Sequence, residues 1–359
     1  DFEGMVHPTN MAMYYYCLAD IQRLLGNYTQ SEKYFRQVFK INDQYLSPDY
    51  HRKVYDFLGY GILLDSLKMH NKAEQYYLEA VRIAEHNYGF HHIRTARLLK
   101  STGDHYYLTG ELDKALAYYQ QSIFSMVPDY DVTGFAFNPP PEQINDNLFY
   151  LSLLKSKASV LEDLDEMAAV YSSCQTSISI IDQLRNSYLS DRSKLYLSEN
   201  ERGTYEKCVE SAYQCYELSS DPEYLNQAFM VAEKGKYATL LSVLQRENTI
   251  ALAGIPDSIV QIDASLRKEL SIQQELLLEI QGDTLYDTMA IERYQAQIFQ
   301  IRARIESLNK RLEREYPGYY DLLYNQRVLG PDAIRKKLRS SEELLEYFYT
   351  GKYLYRLDL

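Results

Sequence analysis

The chain's seven histidines and four cysteines are the residues best suited to metal binding or nucleophilic chemistry. Four of the histidines, His86, His91, His92 and His105, share one stretch, HNYGFHHIRTARLLKSTGDHYYLTG (86–110). Zinc sites usually combine close histidine pairs, such as two placed four apart on one helix face, with acidic or thiolate ligands. These four are separated by five, one and thirteen residues, so none forms such a pair. Cys17, Cys174, Cys208 and Cys215 show no metal-ligand spacing either. A helix sets Cys208 and Cys215 about 10 Å apart along its axis. That exceeds the roughly 7 Å between Cα atoms that a disulfide tolerates. The cysteines read as core or surface thiols, in keeping with a reducing compartment and, for a soluble chain, with the cytoplasm before the periplasm. No catalytic residue, cofactor or metal is expected.

The elements that must carry these residues show themselves through a repeat. Gly26, Lys68 and Gly110 follow at steps of 42 residues, and so do Ser31, Ala73 and Ala115, then Phe35, Tyr77 and Tyr119. Upstream, Tyr15, Phe57 and Leu99 keep the step, as do Ala19, Gly61 and Gly103. Small residues let two helices approach closely, and an aromatic ring four positions on fills the space beyond the contact. Gly26 and Gly110 suit a helix end with positive φ. The pattern resembles the tetratricopeptide (TPR) repeat, with its large residue, Leu-Gly, Tyr, Ala and Phe positions. A step of 42 implies longer helices than the usual 34-residue unit. His91 then lies two whole steps after His7, in the lead-in to a first helix, where a histidine caps or packs a turn. His105 lies two residues after the close-packing Gly103.

Composition agrees with helices packed through large rings with polar tips: 36 tyrosines stand against 12 phenylalanines and no tryptophan. A net charge of −12 repels phosphate backbones, so nucleic acid is not an expected partner. No apolar run approaches the roughly 20 residues of a membrane helix. The chain starts at Asp1, which reads as a fragment or processed form and leaves a removed secretion signal open.

Five segments are expected. Residues 1–126 hold three 42-residue repeats, and 127–146 form a Pro-rich loop in which Pro139–Pro141 favour polyproline II. Residues 147–250 hold degenerate helix pairs, at 147–164 with 167–187 around Ala158, and at 194–219 with 222–247 around Ala212. Asp221-Pro222 reads as N-cap and first helical residue. Residues 257–316 read as a long antiparallel hairpin turning at Gly282-Asp283. Its seam comprises Ile262, Leu266, Leu270, Leu277 and Ile280 against Ile291, Tyr294, Ile298, Ile301, Ile305, Leu308 and Leu312. Residues 317–359 carry linker helices and two strands, 344–349 and 352–359, about Thr350-Gly351. An isolated hairpin is marginal in water, so the strands suggest the start of another domain. The expected fold class is all-α: a TPR-like right-handed α-solenoid, a long antiparallel helical hairpin, and a short C-terminal β-hairpin from a truncated α/β domain.

AFMVAEKGKYATLL (228–241) presents Ala232, Glu233, Lys236, Ala238 and Leu241 in an A-E-x-x-K-A-x-x-L pattern, and ELLEYFYTGKYLYRLDL closes the chain. Together with the preceding repeats, these features resemble the N-terminal part of TPR–CHAT proteins, in which a caspase- and separase-like cysteine peptidase domain follows TPR arrays. The family's Gly-His-Gly-like and Ala-Cys stretches are absent, so the resemblance implies a peptidase parent and a non-catalytic chain here. It also implies that the downstream CHAT domain is a partner. TPR arrays bind a protein or peptide along the groove lined by the first helix of each pair. By repeat register the groove candidates are Tyr16, Asp20, Arg23, Ile62, Asp65, Lys100, Asp104 and Tyr107. Their mixed charges disfavour a carboxylate clamp. The chain is expected to be an interaction scaffold, the competing reading being the sensor scaffold of a signalling or transcription-regulator protein.

Overall fold

The structure, a computed structural model, describes residues 7–127, 134–187, 197, 200–244, 256–282, 288–317 and 328–358. It divides into two compact units, Asp1–Ser177 and Ile178–Leu359.

The first unit is built from helical hairpins: α1 (Pro8–Leu24) with α2 (Tyr28–Tyr45), α3 (Lys53–Ser66) with α4 (His70–Tyr88), and α5 (Ile93–Leu108) with α6 (Leu112–Met126). Then come α7 (Asn147–Asp163) and the start of α8 (Met167–Ser187). The turns explain the 42-residue step. Gly26, Lys68 and Gly110 all have left-handed φ, at 77°, 61° and 80°. After each, an amide reaches back to close the same helix end: Asn27 to the Gln22 carbonyl, Met69 to Leu64, Glu111 to Tyr106, at 2.8–2.9 Å. Asp165 (φ 58°) repeats this between α7 and α8, with the Glu166 amide on the Leu161 carbonyl.

Close packing follows the small residues. Ala19, Ser31, Ala73 and Ala115 are fully buried, and the Ser31 hydroxyl donates to the Ala19 carbonyl at 2.7 Å. Phe35, Tyr77 and Tyr119 are buried beside them. The loop before α7 is fastened by side chains. The Tyr150 hydroxyl donates to the Pro139 carbonyl and the Ser172 hydroxyl to that of Ala136. Lys157, fully buried, donates to Gln120 Oε1 and Asn138 Oδ1, both at 2.9 Å. Burial lowers its pKa to about 7. Pro140 is extended (φ −62°, ψ 143°), whereas Pro141 opens a 3₁₀ turn, Pro141–Gln143. Its fixed φ suits a first helical position.

In the second unit α9 (Arg202–Ser219) pairs with α10 (Glu223–Leu244), and Asp221 caps α10 by accepting from the Glu223 amide at 2.9 Å. The expected extensions at 194–196 and 245–247 lie outside the described residues. Helices α11 (Asp257–Gly282) and α12 (Thr288–Glu315) form the long hairpin. Ile259 and Leu266 are buried, as are Ile298, Ile301, Leu308 and Leu312. Ile262 does not join the expected seam; it is 48% exposed. At 100° per residue it is turned about 60° from Ile259, which lies on the same stripe as Leu266. Asp283 and the side chains of Leu277, Ile280 and Ile291 lie outside the described residues. After the short α13 (Pro331–Arg335), β1 (Leu345–Tyr349) and β2 (Leu354–Asp358) pair antiparallel with Leu345 opposite Asp358, and Gly351 turns with φ 77°. The Lys236 ammonium on α10 pairs with Glu346 on β1, and the Tyr355 ring lies 5.4 Å from that of Tyr213 on α9. Among the described residues no helix is long and apolar enough to cross a membrane.

Candidate functional site: the face of the first helices

Helices α1, α3, α5 and α7 follow one another as neighbours, α1 on α3, α3 on α5 and α5 on α7. Equal register therefore places side chains in rows. Asp20, Ile62 and Asp104 form one row, and Arg23, Asp65 and Tyr107 another.

The outer repeats carry ion pairs within one helix. The Arg23 guanidinium donates to Asp20 Oδ1 at 2.7 and 3.0 Å, and the Lys100 ammonium to Asp104 at 2.9 and 3.2 Å. Pairs three or four apart on a helix contribute only a few tenths of a kcal/mol each. Their stronger effect is to set both charges in fixed places on one face. Asp104 also accepts the Tyr119 hydroxyl at 2.7 Å, which ties the face to the buried aromatic row. The Tyr16 ring meets Phe35 edge-on at 5.9 Å, and burial, then Asp20 and Asp56, push its hydroxyl up to about 12. Burial and a hydrogen bond to Asp163 likewise raise Tyr107, so its hydroxyl reaches α7. Ile62 packs beside Leu64, Ala73 and Tyr77.

The middle repeat is different. Asp65 is buried, and its carboxylate accepts from three side chains: His70 Nδ1 at 2.9 Å, His105 Nδ1 at 2.9 Å and the Tyr77 hydroxyl at 3.1 Å. Burial works to raise the Asp65 pKa, but the bonds from His105 and His70 outweigh it and hold the carboxyl below its usual range. The cluster joins α3, α4 and α5. Asp65, His70 and His105 also offer one ligand atom each, all within 4.8 Å of one another, a set that could hold a metal ion.

Three of the other histidines, His7, His91 and His92, have local roles. His7 caps α1 through Nδ1 to the Thr9 amide. The cap of α5 is His92, accepting from the Arg94 amide at 3.0 Å, and not His91, whose ring lies edge-on to Phe90. The four cysteines are free thiols, Cys17 exposed and the others buried. Spacing does not reveal His70 or the hydroxyl role of Tyr77. A signal for His105 exists: by the 42-residue step it occupies the place of Ile21 and Leu63, and Leu63 is a core position. Another buried carboxyl, Asp56, accepts from Asn42 at 2.6 Å, and burial raises its pKa to about 7.

A family model for the tetratricopeptide repeat matches residues 10–86 and 58–123. No curated protein matches the chain. Among solved structures, BtubC (BKLC) from P. vanneervenii is similar at 15% identity with a TM-score of 0.42. That match covers 48% of this chain and 64% of BtubC, so the chain spans less than two thirds of that protein. PilF from Pseudomonas aeruginosa is similar at 14% identity with a TM-score of 0.40, covering 89% of this chain and 99% of PilF.

Proposed function

We propose that the face formed by α1, α3, α5 and α7 receives a protein or peptide partner, and that the chain is a non-catalytic interaction scaffold within a larger protein. The observation that carries this reading is the row arrangement itself. Helices α1 and α5, either side of α3, hold Asp20 with Arg23 and Lys100 with Asp104, the two aspartates at matched register and each pair part-exposed and fixed in place. Such fixed charges discriminate among partners and steer them more than they add affinity. The TPR match over residues 10–86 and 58–123 supports the same reading, since TPR arrays present this face to ligands.

The larger protein is read as a CHAT-type cysteine peptidase, with the downstream domain as one of the scaffold's partners. The ion pair between Lys236 and Glu346 supports this, because it joins the A-E-x-x-K helix to the LLEYF strand, the two stretches that carry the resemblance. Titrating the separately expressed downstream domain, and a panel of acidic and basic peptides, against the chain tests the scaffold. The Arg23→Ala/Lys100→Ala variant is expected to lose about tenfold in affinity for whichever binds, about 1.4 kcal/mol. Unchanged affinity removes these residues from the binding face.

A further inference from the structure

We infer that Asp65, His70 and His105 form a binding site for a divalent transition-metal ion of the zinc class, bridging α3, α4 and α5. Asp65 also belongs to a row of the partner-binding face, but the inference rests on the cluster's own geometry and survives if the partner reading fails.

Two imidazole nitrogens and one carboxylate oxygen converge within 4.8 Å from residues up to forty positions apart in sequence. Imidazole with carboxylate suits zinc, cobalt or nickel, whereas magnesium and calcium take oxygen donors. Asp65 and His105 are both buried, and no lysine or arginine pairs with Asp65 among the described residues. A buried carboxylate needs a compensating positive charge. A divalent ion meets that need while using the imidazole lone pairs.

Geometry allows the exchange. An ion about 2.1 Å from each donor draws tetrahedral ligands to about 3.4 Å from one another. Both imidazole–carboxylate contacts, now 2.9 Å, must widen to admit the ion. His105 and Asp65 are buried, whereas His70 is the first residue of α4 with a side chain 31% exposed and has the most room to move. On binding, each imidazole gives its Nδ1 lone pair and carries its ring proton on Nε2, while Asp65 gives a carboxylate oxygen. Tyr77, 3.1 Å from Asp65 Oδ2, keeps its proton and its hydrogen bond, holding the carboxylate from behind the ion.

The test is a calorimetric titration of chelator-stripped protein with zinc sulfate at about pH 7.5, repeated with cobalt chloride to read ligand-field absorption. One equivalent is expected to bind, with affinity falling about tenfold or more in both His70→Gln and Asp65→Asn. The His91→Gln/His92→Gln variant, which leaves the cluster intact, is expected to bind as the wild type does. Circular dichroism confirms that each variant is folded, and His70→Gln, at a part-exposed helix start, is the variant on which the decision rests. No binding by the wild type overturns the proposal and leaves the cluster a hydrogen-bonded staple. A loss of less than about fivefold in folded His70→Gln overturns it too, because the metal then sits elsewhere.

Discussion

The Tyr119 ring lies so close to Gly103 that a β-carbon at that glycine would come within 2.6 Å of Cδ1 and Cε1. The ring cannot swing aside, because it is fully buried and its hydroxyl is held by Asp104 at 2.7 Å. Across the α3–α4 hairpin the equivalent approach, Tyr77 to Gly61, is looser at 3.2 Å. Alanine in a helix gains about 1 kcal/mol over glycine by propensity, while overpacking costs about 1–3 kcal/mol. Gly103→Ala should therefore destabilise the chain by up to about 2 kcal/mol, and Gly61→Ala should be close to neutral. Urea unfolding of the two variants checks the order. If both are equally destabilised, the ring–glycine contact does not set the cost.

Lys68 occupies a left-handed turn, φ 61°, that Gly26 and Gly110 fill in the neighbouring repeats. A side chain there costs roughly 1 kcal/mol in backbone strain. Lys68→Gly is expected to raise stability by about 0.5–1 kcal/mol, and Gly110→Lys to lower it by a similar amount. Thermal unfolding reads both, and a Lys68→Gly variant that loses stability refutes the strain.

Asp56 makes stability depend on pH in an identifiable window. Its folded pKa of about 7, raised by burial against the pull of Asn42, lies above the unfolded value of about 3.9. The folded state thus holds this proton more tightly. The penalty is absent below about pH 4, grows as pH rises, and is complete above about pH 7. Asp56→Asn should stabilise the chain by about 2–4 kcal/mol at about pH 8, and the gain should vanish near about pH 4. A difference between wild type and variant that does not change with pH would show that the carboxyl titrates normally.

How far the sequence discloses this molecule depends on which residues enforce the repeat. The first three hairpins are legible because positive-φ turns at 26, 68 and 110, small residues such as Gly103, and rings such as Tyr119 recur at one spacing. The later hairpins are harder to read. Their left-handed turns fall on Asp165 and Ser220, where no glycine marks them, and each comes 55 residues after the last. The long hairpin's heptads are legible, but near its open end Ile262 lies off the buried stripe. The Asp65 cluster is hidden for a different reason. His70 opens one helix and His105 lies in the last turn of the next, so only the stacking of consecutive repeats brings them to one carboxylate.

The binding face is tested most directly by hydrogen exchange on the chain with and without a titrated partner, followed peptide by peptide along the first unit. Protection should rise on α1, α3, α5 and α7, in peptides containing Asp20, Arg23, Lys100, Asp104 and Tyr107, while α2, α4 and α6 stay unchanged. Protection confined to those second helices, or to the hairpin of α11 and α12, would contradict the account.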